Sequence, residues 1–148
     1  MLRVALIVLL TTTAGCASLG GTQERYLVCP YDTMWETSLE MVKDRPIVTK
    51  DKAKGLIETG WTEVPVDRSY GILQRELRDA KDRTKVSVAL TKLDDVTKIT
   101  LVETRERWKF RGGSRLFGWD PAEPSEEDIG KLMTRLTAKL KERGCRLT

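Results

Sequence analysis

The 148-residue chain contains no histidine. That absence removes Ser-His and Cys-His nucleophile pairs, imidazole general bases and the commonest metal ligand. Any catalysis would have to rest on carboxylates or lysine, and no close cysteine pair offers a metal site either. Aromatic residues make up only 6% of the chain, and no apolar run approaches the roughly 20 residues needed to span a bilayer. The formal charge of +4 is too small to imply a nucleic-acid partner. The expectation is therefore a protein that is not an enzyme and uses no cofactor and no metal.

What is present begins at the N-terminus. Arg3 supplies one positive charge, residues 4–10 are unbroken apolar, and Thr13-Ala14-Gly15-Cys16 follows, which is the layout of a secretory signal with a small-residue cleavage site. Thr13 to Cys16 resembles the bacterial lipobox, with threonine where that motif most often has leucine. The resemblance implies cleavage before Cys16 and acylation of its thiol, then of its new amino group. Residues 1–15 are thus expected to be a lipoprotein signal peptide and 16–24 the lipidated cysteine with a small, polar tether. Residues 25–148 are expected to be a single domain, since their number suits one core and not two. Ala17 and Ser18 lack the aspartate that in enterobacteria tends to hold lipoproteins at the inner membrane. The expected location is the outer membrane, lipid-anchored, on the periplasmic face.

With Cys16 assigned to lipid, Cys29 and Cys145 remain as an even pair in an oxidising compartment. They are predicted to form a disulfide tying the first strand to the end of the last helix.

Along the rest of the chain the hydrophobic period changes twice. Residues 24–30 read as a strand ended by Pro30, and Thr33-Met34-Trp35-Glu36 reads as a capping box opening a helix stopped by Pro46. From residue 47 to 110 the period is two, with strands expected over 47–50, 56–63, 70–78, 84–92 and 97–110. Ile57, Thr59 and Trp61 are expected to share a face, and 79–82 to be a turn. Ser125 then caps a long helix whose apolar stripe is Ile129, Leu132, Met133, Leu136 and Leu140, with Gly144 placed to end it. The fold class predicted is α+β: an antiparallel sheet of about six strands gripping a long C-terminal helix, in the order β-α-β5-α.

Arg105, Arg107, Lys109 and Arg111 occupy alternate positions on the longest strand, with Arg115 beyond them. If pairing continues that far, these cations share one face and Trp108 and Phe110 point into the core. The row is a candidate site for an anionic partner, or simply a guard against edge-to-edge pairing. Gly112-Gly113-Ser114 is a backbone nest for an anion or an exit from the sheet. Leu116, Phe117 and Trp119 read as a lid packing the last helix onto the sheet, or as a partner- or membrane-facing tip. Glu58, Glu63, Glu76 and Glu103 suit cross-strand ion pairs better than paired-carboxylate catalysis.

The lipobox together with the block from Trp35 to Trp61, which includes Asp51-Lys52-Ala53-Lys54-Gly55-Leu56-Ile57-Glu58-Thr59-Gly60-Trp61, resembles the BamC family of outer-membrane assembly lipoproteins. The resemblance implies a helix-grip domain and an accessory role in barrel assembly or envelope maintenance, with an envelope protein as partner. It does not extend to the second domain or the long N-terminal segment of that family. The alternative expectation is a periplasmic carrier holding a lipid or other apolar molecule between sheet and helix, lined by Trp61, Trp108 and Leu136.

Overall fold

The computed structural model describes residues 21–65, 81–110 and 117–148. In chain order these form β1 (Thr22–Val28), α1 (Tyr31–Met41), β2 (Ile47–Asp51), β3 (Leu56–Thr59), β4 (Thr62–Val64), β5 (Lys81–Leu93), β6 (Val96–Phe110), β7 (Phe117–Ala122), α2 (Glu126–Glu142) and β8 (Arg146–Leu147). The strands make one sheet in the order β2-β3-β5-β6-β1-β8, with β4 also on β5 and β7 also on β6. Every pairing is antiparallel.

This corrects the predicted β-α-β5-α order and its sheet of about six strands gripping a C-terminal helix. Eight strands are present among the described residues, and a strand follows α2. The expected strand over 56–63 is divided at Gly60, whose N–H leaves the ladder and donates to the Pro46 carbonyl at 2.7 Å. Residues read as loop form β7, where Pro121 is tolerated because the strand pairs only with β6. Arg146 and Leu147 add a further strand to β1. Helix α2 packs on α1 as well as on β1 and β6, so both helices together cover one face. The strand expected over 70–78 lies outside the described residues.

The backbone of the sheet is the β5–β6 hairpin, paired without a slip from Leu93↔Val96 to Lys81↔Trp108. Its two-residue turn puts Asp94 at φ 47°, a conformation that aspartate tolerates in tight hairpins. Val86, Val88, Leu90, Ile99 and Leu101 point from this hairpin toward the helices and are buried with Leu27, Met34, Trp35 and Ile57. The predicted stripe of α2 is buried at all five positions. Ser125 caps that helix by accepting from the Asp128 N–H at 3.1 Å. Helix α1 starts earlier than its expected capping box. Pro30 is its N-cap, no side chain caps it, and Thr33 lies inside the helix, accepting from the Thr37 hydroxyl at 2.7 Å. It ends at Met41, short of Pro46.

Strand β1 begins at Thr22, inside the stretch expected as tether. Its far end meets the end of α2 through the Cys29–Cys145 disulfide, with Cα atoms 4.7 Å apart. Local geometry prepares that junction. After α2, Gly144 at φ +87° lets its own N–H reach the Lys141 carbonyl (2.9 Å) and the Cys145 N–H reach the Leu140 carbonyl (3.0 Å), closing a Schellman motif. A Cβ on Gly144 meets no atom within 4 Å, so the cost of a side chain there is purely conformational. Gly144→Ala is therefore expected to destabilise the domain by about 1–2 kcal/mol, read from the urea midpoint. A neutral result would mean that the cap is not needed to bring Cys145 to Cys29.

Candidate functional site

Because β6 keeps its register, the inward phase set by Ile99 and Leu101 continues through Glu103, Arg105, Arg107 and Lys109. The basic row therefore lies on the helix-facing side of the sheet. Trp108 lies on the opposite side, not in the core. Expectation and structure differ here because hydrophobicity alone places the aromatics inside, while a continuous pleat does not allow the phase to change.

The inward cations are committed to carboxylates. Asp82, 1% exposed, accepts from Arg107 Nε (2.7 Å) and Nη2 (2.9 Å) and from Arg105 Nη1 (3.4 Å). Arg105 also donates through Nε to Glu103 Oε1 (2.9 Å) and through Nη2 to Asp128 Oδ2 (2.7 Å). Glu103 in turn accepts the Ser125 N–H at 3.1 Å, so one guanidinium links β5, β6 and the start of α2. Burial opposes ionisation of Asp82, but the Arg107 and Arg105 guanidiniums outweigh it and hold the carboxyl below its ordinary pKa. Lys109 pairs with Asp120 of β7 at 3.2 Å, nearer solvent. Arg105, Arg107 and Lys109 thus each pair with a carboxylate, Arg105 well buried and Lys109 nearest solvent. Arg111, Arg115, Cys16 and the Gly112-Gly113-Ser114 stretch lie outside the described residues.

Next to this network is a cleft of about 860 Å³ between the end of α1, strand β4 and the first half of α2. Arg45, Thr84, Glu103 and Arg105 are among its polar lining residues, and Met41, Val64, Ile129 and Leu132 are among its apolar ones. Its lining differs from the one expected for a carrier. Leu136 is fully buried in the core, and Trp61 and Trp108 do not line the cleft.

The face turned away from the helices carries three of the four tryptophans. Arg83 of β5 sits between two of them, its guanidinium carbon 4.5 Å from the Trp61 ring centre and 4.2 Å from that of Trp119. Its Nε also donates to Glu106 at 2.8 Å. Trp119 meets Trp108 edge-on at 5.3 Å, and Phe117 stacks on Trp108 at 6.3 Å. Phe117 is 43% exposed. Phe117 and Trp119 are consequently not a lid for α2, which lies on the other side of the sheet. Sequence reasoning named these aromatics but missed Arg83. The available signal was alternation: Arg83 lies directly opposite Glu106, two positions before Trp108 on the same face.

Among the described residues, no cluster of carboxylates and cysteines is placed to hold a metal ion, and no helix is long and apolar enough to cross a membrane. No protein-family model and no curated protein matches this chain.

Proposed function

We propose that this is a lipid-anchored, non-enzymatic accessory domain of the outer membrane that docks an envelope protein through the Trp61–Arg83–Trp119 face. The observation that carries the reading is the composition of that face. Tryptophan and arginine are the residues most enriched at the energetic centres of protein interfaces, and a guanidinium already held between two rings gives up little freedom on binding. The carboxylates of the opposite face, Asp82 and Glu103, are engaged with guanidinium groups, which suits a structural role better than acid–base chemistry.

The anchor supplies the remainder of the mechanism. The Gly21 carbonyl accepts the Glu103 N–H at 2.8 Å, and Trp108 follows five residues along β6, about 17 Å away at strand rise. Residues 16–20 span at most about 18 Å. A lipid on Cys16 therefore keeps the aromatic face close to the membrane surface and raises its local concentration against partners there, so that a weak contact suffices. The resemblance of the lipobox and the 35–61 block makes a component of outer-membrane protein assembly the partner class of choice.

The test is photo-crosslinking in intact cells from a probe at position 117, with Cys16 present and with Cys16→Ser. A discrete protein adduct that disappears in the serine variant is the expected result. An adduct that persists without Cys16 would overturn the anchoring, and labelling of lipid alone or of nothing would overturn the protein-docking face.

A further inference from the structure

The inner cleft contains positive charge that the ion-pair network does not absorb. Arg105 is satisfied by Asp82, Glu103 and Asp128, and Lys131 pairs with Glu127. Arg45 differs. Its Nη1 donates to the Thr84 hydroxyl (3.0 Å) and carbonyl (3.4 Å), and it has no carboxylate bonded to it among the described residues. A guanidinium carries five N–H donors, so most of this group's capacity faces the cleft unspent. Arg135 on α2 lines the same cleft and likewise has no ion-pair partner among the described residues. The unspent acid of the lining is Asp44, which is exposed.

Arg45 and Arg135 both line this cleft, each carrying a positive charge. Burial lowers the Arg45 pKa; Glu103 and Asp128 oppose that shift through space, and Arg135 adds to it. A half-buried cation beside a second cation is a local conflict that a bound anion relieves. Met41, Val64, Ile129 and Leu132 supply apolar lining to the same cleft. We infer that the cleft binds an amphipathic organic anion, its carboxylate or phosphate held by Arg45 and Arg135 and its hydrocarbon part against Met41, Val64, Ile129 and Leu132. Charge-assisted bonds to an arginine pair fix the head, and the apolar lining favours a short chain over a bare ion. The inference does not depend on lipidation of Cys16 or on the tryptophan face.

The experiment is a titration of the isotopically labelled protein, with the disulfide intact, with octanoate, octyl phosphate and octanol, followed by amide NMR. The expected result is saturable shifts centred on Arg45, Thr84 and Leu132 with an anionic probe and at least tenfold weaker binding of octanol. The stronger of the two anions tells carboxylate from phosphate chemistry. Arg135→Gln, a surface change that leaves the fold intact, is expected to weaken the anion about tenfold or more, and Arg45→Lys to retain part of the affinity that Arg45→Gln loses. Equal binding of octanol and octanoate, shifts away from the cleft, or an affinity unchanged in Arg135→Gln would each overturn the inference.

Discussion

Replacing Cys29 and Cys145 together by alanine is expected to lower the unfolding free energy by about 4–5 kcal/mol, the largest single effect in this domain. The bridge joins residues 116 apart, so in the chain-entropy model it removes loop-closure freedom from nearly the whole unfolded chain. Beside it, the pairs Leu27↔Leu147 and Val28↔Arg146 and the Thr148 N–H and hydroxyl, both donating to the Tyr26 carbonyl, hold the C-terminus on β1. Domains near this size commonly have 5–15 kcal/mol in total, so the loss is a large fraction of stability. Urea unfolding of the double variant, set against oxidised and reduced wild type, is the measurement. Coincident midpoints for all three would show that the bridge is incidental to the fold.

Arg105→Met is expected to cost about 3–5 kcal/mol, while Lys109→Met, four positions along the same row, costs under about 1 kcal/mol. The side chains differ in burial and in what they leave behind. Removing Arg105 leaves Glu103, 5% exposed, with the Ser125 N–H but no bonded cation, and takes one cation from Asp82, and a buried carboxylate without a counter-charge is what makes breaking such a pair expensive. Lys109 and Asp120 sit nearer water, which screens the loss. A pH series adds a second readout. The folded pKa of Asp82 lies below its unfolded value, so its stabilisation is fully present above the unfolded pKa of about 3.9 and disappears as pH falls through the folded one. Arg105→Met is expected to flatten that acid limb as well as lower the plateau. Equal costs at 105 and 109 would contradict the burial of Arg105 against Glu103 and Asp82.

The consequence for function is a reversal of faces. Of the charges that look like a binding patch in the sequence, Arg105 ties the sheet to α2 while Arg107 and Lys109 pair with carboxylates of β5 and β7, and the aromatics that look like core are presented outward with Arg83 between them. Asp82 illustrates why this was not legible. In sequence it stands within Asp79-Ala80-Lys81-Asp82, a composition that signals a turn, yet β5 starts at Lys81 and the pairing Asp82↔Arg107 places the carboxylate under two guanidiniums. Arg45, preceding Pro46, carries no local signal at all, because its role depends on β5 passing beneath it to offer Thr84.

Features governed by near neighbours could be read from the chain: the buried stripe of α2, its Ser125 cap, the glycine that ends it, and the two long strands of the β5–β6 hairpin. Each depends on interactions within a few residues, where spacing and propensity act directly. The number of strands and the division at Gly60 depended on segments far apart in sequence, whereas the Cys29–Cys145 bridge followed from cysteine counting alone. The choice of buried face along β6, like the number of strands, depended on distant segments. An alternating strand is compatible with either face, and only packing of Ile99 and Leu101 beneath the helices selects one, carrying every later residue of the strand with it.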